Sequence, residues 1–328
     1  MARLKVALLG CGNIGVRHAA AARELQHELD LVACCGREPG KTAAFAKTIE
    51  AAPFTDFAEM LAVAKPDLLI VALPPFAHDG QVEAAARAGV HVLVEKPIAL
   101  SNERARAMVE TVRAAGVIGA CGFMYRFGAA VGRWESLMAA GQTGRIGHFS
   151  GNFHSNALHA PWWRSREKSG GQMVEQLIHI VDLARHFLGM PQTAYARAAN
   201  LFHRDVPGYD SEDQSAIVLG YDDGRIAVLH ASNSVVRGRW AKSWQIITER
   251  RTAIFTDWNR AEIFTTVGEP GSETIDEARD VFVAQLENVA AAIRGAAPVK
   301  VPLEEGAKTL EIVLAARRSA DERREIRL

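Results

Sequence analysis

Long apolar runs are missing from this chain of 328 residues. The opening stretch Met1-Ala2-Arg3-Leu4-Lys5 leads into an apolar run of only Val6 to Leu9. That is too short for the core of a secretion signal and far too short to span a bilayer. An excess of either charge is missing as well, since Lys+Arg and Asp+Glu stand at 38 each. The balance argues against a large sequence-independent nucleic-acid surface. Cysteine is scarce: Cys11, Cys34, Cys35 and Cys121, with no CxxC pair. Neither a disulfide framework nor a zinc site is indicated, so no metal is expected. The expected setting is a reducing cytoplasm, with a small molecule rather than a nucleic acid or a membrane as partner. Internal repeats and low-complexity linkers are also absent.

What is present is enough apolar residue, 48% of the chain, to fill more than one core. At roughly 150 residues per domain the length suggests two. Short apolar runs at residues 4–9, 29–35, 67–73, 90–94 and 117–121 read as strands. Between them, residues 16–25, 41–47, 57–62, 80–88 and 102–115 read as helices. This alternation predicts an α/β domain with a doubly wound parallel sheet over residues 1–122. The rhythm changes near residues 121–126, without a Gly/Ser spacer. Residues 129–140 read as a helix, 146–153 as a strand, and 171–188 as a helix with apolar residues at helical spacing. Successive strands follow at 193–200, 214–221, 225–232, 243–248, 251–256 and 261–266, with Asp222-Asp223-Gly224 as a hairpin turn. Residues 123–328 are therefore expected to form an α+β domain with an open, mostly antiparallel sheet. The tail returns to helix at 276–294 and 303–320, and these helices can pack back on the first domain.

Gly10-Cys11-Gly12-Asn13-Ile14-Gly15 follows the first strand and opens the first helix. The first glycine permits a tight turn, the second lets backbone approach a pyrophosphate, and the third allows close helix packing. The helix start adds amide donors and a positive dipole end. These six residues are the candidate dinucleotide cradle. A carboxylate that grips ribose hydroxyls is usual at the end of the second strand. Here Gly36 and Arg37 stand there. Without the carboxylate a 2′-phosphate is not repelled, and Arg37 can pair with it. NADP is the preferred cofactor on this reading. NAD is the alternative, with Arg37 solvated and Glu38 serving the ribose.

Leu73-Pro74-Pro75-Phe76-Ala77-His78 closes another strand. Two consecutive prolines make a rigid turn. Leu73, Pro74, Pro75 and His78 are candidate cofactor contacts against the nicotinamide half, with capping or packing the turn the plainer role for His78. In His91-Val92-Leu93-Val94-Glu95-Lys96-Pro97 an apolar run stops at a charged pair. Lysine is rarely buried, and the carboxyl ends of such strands form the ligand crevice. Lys96 can there polarise an oxygen or move a proton, and Glu95 and Lys96 are both candidate cofactor contacts as well. The plainer alternative is a surface lysine just past a strand end.

Gly170-Gly171-Gln172-Met173-Val174-Glu175-Gln176-Leu177-Ile178-His179 carries the chemistry of the second half. Glu175 and His179 are four apart on an expected helix, so they share a face. A carboxylate one turn from an imidazole can orient it and make His179 a general acid/base. The alternative is an ordinary exposed i,i+4 pair. Phe123-Met124-Tyr125-Arg126 and Pro161-Trp162-Trp163-Arg164 cluster aromatics with arginine. Aromatic faces suit sugars and arginine suits hydroxyls or carboxylates. Tyr125, Arg126, Trp162, Trp163 and Arg164 are thus candidate substrate contacts, with at least one tryptophan expected in the core.

Taken together, the glycine loop with His18, Glu95-Lys96-Pro97, and Gly170-Gly171 leading to Glu175 and His179 resemble the glucose–fructose oxidoreductase/inositol dehydrogenase family, Gfo/Idh/MocA. The resemblance covers nearly the whole chain. It implies an N-terminal Rossmann domain and a C-terminal domain whose open sheet forms homodimers or homotetramers. It also implies hydride transfer between a nicotinamide cofactor and a secondary alcohol or ketone of a sugar, anhydrosugar, cyclitol or related polyol. Lys96 matches the family's catalytic lysine and His179 its catalytic histidine. Glu175 sits where many members carry aspartate, so it either orients His179 or touches substrate. Two other activities occur among such proteins: redox-neutral, NAD-dependent glycoside cleavage, and regulation by non-catalytic dinucleotide binders.

Overall fold

The computed structural model describes residues 2–156 and 160–328. In chain order the first elements are β1 (Leu4–Leu9), α1 (Asn13–Glu24), β2 (Leu29–Cys35), α2 (Pro39–Ile49), β3 (Ala52–Phe54), α3 (Phe57–Ala64) and β4 (Leu68–Val71). They continue with α4 (Gln81–Arg87), β5 (His91–Val94), α5 (Asn102–Ala114), β6 (Gly119–Cys121), α6 (Ala129–Ala139) and β7 (Ile146–His154). Then come the short helices α7 (Pro161–Arg164) and α8 (Arg166–Ser169), a π-helical turn (Met173–Leu177) and α9 (Ile178–Leu188). Next are β8 (Thr193–Ala199), β9 (Gln214–Gly220), β10 (Ile226–Ser232), β11 (Ala241–Thr248), β12 (Arg251–Phe255), β13 (Arg260–Thr265) and β14 (Gly271–Asp276). The chain ends with α10 (Val281–Ile293), α11 (Leu303–Glu322) and β15 (Ile326–Arg327).

Two units result, residues 1–124 with 280–307, and residues 125–279 with 308–328. The first is built on a six-stranded sheet in the order β3-β2-β1-β4-β5-β6, every pair parallel. This doubly wound order reverses between β1 and β4, where ligands bind at strand carboxyl ends. Val6, Ala7, Leu8, Leu68, Leu69, Ile70, Val92, Leu93 and Val94 are shut off from solvent. Burial on both faces explains why these strands read as unbroken apolar runs. β3 escapes a reading of apolar runs because it has only three residues, two of them exposed.

The second unit holds a nine-stranded sheet in the order β14-β13-β12-β11-β7-β10-β9-β8-β15. Only β7 and β10 pair in parallel; the other neighbours are antiparallel. Alternating burial along β9 and β10 leaves one face inward and one outward. The inward face packs α9, with Gly151 of β7 so close that a Cβ there would sit 2.7 Å from Ile180.

Two helices differ from the sequence reading. Periodicity predicts one helix over 276–294, but Asp276 ends β14 and the helix starts at Val281. Asp280 caps it by accepting from the amides of Phe282 (2.8 Å) and Val283 (3.3 Å). A side-chain oxygen at that position stops the helix from extending backwards. Residues 171–188 were expected as one α-helix, but the first turn widens to π over Met173–Leu177. Such widened turns recur at functional sites.

Arg126 and Asp182 hold the second unit's helical layer together. The guanidinium donates through Nε to Oδ2 at 2.8 Å and through Nη2 to Oδ1 at 2.6 Å, and both residues are buried. Thr309 of α11 also donates to Asp182 Oδ1, at 3.1 Å. A buried pair broken on one side leaves a charge without compensation. Asp182→Ala is expected to destabilise the protein by about 3–5 kcal/mol, read as a lowered midpoint of urea denaturation.

Candidate active site

The glycine loop starts where β1 ends. Gly10 has φ +110°, and a Cβ there would lie 2.4 Å from the Ala72 carbonyl oxygen. A Cβ on Gly15 would lie 2.2 Å from the Gly10 carbonyl oxygen. Both positions are thus closed to side chains by the protein itself. Gly12 is different: a Cβ there would meet nothing within 4 Å. The protein leaves space over Gly12 at the start of α1, and Gly12, Asn13 and Ile14 are all exposed. That is what a pyrophosphate needs, with amide donors and the helix dipole beside it. The residues present therefore fit a dinucleotide.

Cys11 is partly buried, and its Sγ lies 3.7 Å from the Cys35 carbonyl oxygen. A Cβ on Gly36 would come within 2.5 Å of Thr42 Oγ1 and 3.0 Å of Cys11 Sγ. The missing carboxylate at the end of β2 is therefore a packing constraint. Arg37 is exposed, and Glu38 faces Lys41 Nζ at 3.0 Å.

Leu73 and Pro74 are half-buried and Pro75 is buried at the end of β4. His78 Nε2 lies 3.3 Å from the Leu73 carbonyl oxygen, which ties the turn to itself. Burial pushes the His78 imidazole below its usual range. A neutral ring that buttresses backbone is a packing role.

At the end of β5, Glu95 is buried and meets His18 Nε2 through Oε1 at 2.7 Å. His18 is fully buried and presents its ring edge-on to Phe282 at 5.1 Å. The other Glu95 oxygen accepts from the Lys96 amide at 3.2 Å, and the Lys96–Pro97 peptide is cis. α1, which begins at the glycine loop, thereby anchors the backbone that carries Lys96. Lys96 itself is half-buried just past the strand.

In the second unit Gly170-Gly171 turns the chain into the π-helical turn. Gly171 has φ +93°, and a Cβ there would lie 2.5 Å from Glu212 Oε2. Glu212 is buried and accepts the Met173 amide at 2.8 Å, so it caps the segment bearing Glu175 and His179. Burial raises the Glu212 carboxyl above the usual carboxylate range. Glu175 accepts the indole N–H of Trp163 at 2.6 Å. His179 is buried, with Tyr125 stacked on it at 4.5 Å and 22° and Phe153 at 6.3 Å and 11°. Trp258 stacks on the far side of Tyr125, again at 4.5 Å. The His179 ring plane is therefore held by aromatic faces.

The candidate substrate contacts divide. Tyr125 joins the stack around His179, and burial raises its phenol above the ordinary range. Trp162 and Arg164 are half-buried. Arg126 and Trp163, also candidate substrate contacts, are both buried, with Arg126 donating to Asp182 and Trp163 to Glu175. Lys242 went unremarked in the sequence. Its Nζ lies 5.0 Å from the Trp240 ring centre, 5.3 Å from Phe153 and 5.8 Å from Trp258. Burial lowers the ammonium to about 8, although Asp257 favours the charged form. The signal was there: strand alternation puts Lys242 on the face of the buried Trp244 and Ile246. Among the described residues no group of three His, Cys, Asp or Glu is placed to hold a metal, and no helix is long and apolar enough to cross a membrane.

A family model for oxidoreductases with an NAD-binding Rossmann fold, Gfo/Idh/MocA, matches residues 4–123, and the model for the Gfo/Idh/MocA C-terminal domain matches 133–268. The chain belongs to the Gfo/Idh/MocA family. This family member is 26% identical to scyllo-inositol 2-dehydrogenase (NAD(+)) of Bacillus subtilis over 326 residues, 97% of this chain and 94% of that protein. It is 29% identical to 2,7-anhydro-N-acetylneuraminate hydratase of Mediterraneibacter gnavus over 255 residues, 76% of this chain and 66% of that protein. Its fold matches the crystal structure of the WlbA dehydrogenase from Bordetella pertussis in complex with NADH and UDP-GlcNAcA. That match has a TM-score of 0.86 at 25% identity, over 100% of this chain and 99% of the other. As a family member the chain is an oxidoreductase with an NAD-binding Rossmann domain.

The glycines make a discriminating prediction. Gly12→Val should abolish NADH binding, measured by cofactor fluorescence, while leaving the thermal midpoint within a few degrees. Gly15→Val should lower the midpoint itself, because the Gly10 carbonyl leaves no room.

Proposed function

We propose that this protein transfers hydride between a nicotinamide cofactor and a secondary alcohol of a sugar, anhydrosugar, cyclitol or related polyol. The observation that carries the reading is the Lys96 anchorage, a lysine at the sheet's ligand-binding end held by a buried glutamate and a helix from the glycine loop. The activities named for the Bacillus and Bordetella relatives support the substrate class. When bound, the cofactor accepts or returns the hydride.

The chain's own residues supply the proton chemistry. His179 takes the hydroxyl proton, its ring plane set by Tyr125 and Phe153. Lys96 donates a hydrogen bond to the reacting oxygen and stabilises its developing charge. Exchange of these two roles is the variant of this scheme. Glu175 positions the segment ahead of His179 through Trp163. Tyr125, Trp162 and Arg164 are assigned to the substrate. Lys96→Ala and His179→Ala should each reduce turnover by about 10²-fold or more, with unchanged thermal midpoints. Near-wild-type rates in both would overturn the assignment. Initial rates are followed at 340 nm with sugars, anhydrosugars, cyclitols and sugar acids, each with NAD and NADP.

NADP is the preferred cofactor on this reading. A side chain at Gly36 has no room, Glu38 faces Lys41, and Arg37 is exposed beside them. Arg37→Ala should raise the KM for NADP about tenfold and leave that for NAD nearly unchanged. Equal effects on both cofactors would speak for NAD. We also assign a homodimer or homotetramer formed through the nine-stranded sheet. Tyr195, Val218, Ile226, Ile247 and Ile254, each about two-fifths exposed, place apolar surface along its strands. Light scattering on the purified protein reads the mass directly.

A second reading is redox-neutral chemistry, in which the sugar is oxidised and re-reduced within one cycle. Similarity to the Mediterraneibacter hydratase favours it. Conversion of an anhydrosugar or glycoside without net change in NADH would identify it.

A further inference from the structure

Lys242 is the least explained charge in the second unit. Its ammonium sits among three aromatic rings, Trp240, Phe153 and Trp258, all within 6 Å. Cation–π attraction accounts for the position of the charge but satisfies none of its three N–H donors. Among the described residues no hydrogen bond or ion pair engages Lys242. The carboxylate that acts on it electrostatically is Asp257, which already accepts from Arg260 Nε at 2.8 Å and from the Asn259 amide at 2.8 Å. Lys242 is half-buried, so the donors of its ammonium are left to solvent or to a ligand that replaces it.

The position of Lys242 points to such a ligand. Lys242 on β11 lies directly across the strand pair from Phe153 on β7. Phe153 stacks on His179, and Trp258 stacks on Tyr125, which stacks on His179. The ammonium and the imidazole are thus joined through the same rings. Trp240, which closes one side of the cage, is 46% exposed, so the cage is open to entering molecules. Aromatic faces suit the C–H faces of a sugar ring, and a lysine suits a point anion.

We propose that Lys242 is a specificity determinant that binds an anionic substituent of the substrate, making the preferred substrate a sugar acid or sugar phosphate rather than a neutral polyol. The inference rests on the dehydrogenase reading above. Lys242 takes no part in the hydride or proton steps; it holds the anion while His179 acts on a hydroxyl of the same ring. A carboxylate and a phosphate offer the same charged acceptor, and matched probes separate them.

The test compares D-glucose, D-glucuronate and D-glucose 6-phosphate in the wild type, Lys242→Met and Lys242→Arg, with NAD and NADP. The wild type is expected to prefer one of the two anionic probes by about tenfold or more in kcat/KM. Lys242→Met should raise the KM for that probe by a similar factor with kcat within about threefold, and Lys242→Arg should recover most of the loss. Equal use of D-glucose and the anions, or an unchanged KM in Lys242→Met, overturns the proposal and leaves the dehydrogenase reading standing. A parallel titration follows tryptophan fluorescence with NAD present, since Trp240 and Trp258 line the cage. If no probe is turned over, the dehydrogenase reading fails for this class and the titration still decides on Lys242. Saturable quenching by an anion, absent with D-glucose and lost in Lys242→Met, upholds anion binding; no quenching by either anion refutes it. Lys242→Gln replaces Lys242→Met should the latter lose its cooperative melt.

Discussion

His18 and Glu95 meet at 2.7 Å with both side chains hidden from solvent, and the placement of the Lys96 backbone depends on that contact. It ties α1, which begins at the glycine loop, to Glu95 just past the end of β5, the residue before Lys96. A buried carboxylate needs partners, and Glu95 has an imidazole on one oxygen and the Lys96 amide on the other. The same carboxylate leaves no room for a side chain at Gly122, just past β6. The glycine-loop helix, Lys96 and the last parallel strand thus share one polar anchor inside an apolar sheet.

In the second unit the corresponding work is divided. Arg126 and Asp182 fasten α9 from within, with Thr309 as a third member. Glu212 caps the π-helical turn, and Trp163 holds Glu175. The widened turn matters because it resets the angular spacing between Glu175 and His179 from that of an ordinary α-helix. Glu175 has a partner on α7, while His179 has aromatic faces from Tyr125 and β7. The two residues therefore sit in different surroundings although they are only four apart in sequence.

Much of the site was legible in the sequence because its signals are local. Gly10, Gly12 and Gly15 declare themselves through spacing and a preceding strand, since the turn and the helix start involve only neighbouring residues. Lys96 stands out because a charge interrupts a buried strand. The buried pairing of Arg126 and the aromatic setting of Lys242 were not legible because their partners are far away in the chain. Asp182 is 56 residues from Arg126, and Phe153 is 89 residues from Lys242. An arginine beside aromatics looks the same in a sequence whether it faces a sugar or a buried aspartate.

Read alone, the sequence yields the alternating first domain and the succession of antiparallel strands after it, and marks the glycine loop, Lys96 and His179 as candidates. Periodicity and turn chemistry act over a few residues, so they survive without coordinates. Tertiary structure alone decided which glycine leaves room for a ligand, which arginine pairs with a buried aspartate, and which lysine is ringed by aromatics. Those are questions of what lies across a sheet or behind a helix. Only folding brings Trp240, Phe153 and Trp258 around one ammonium.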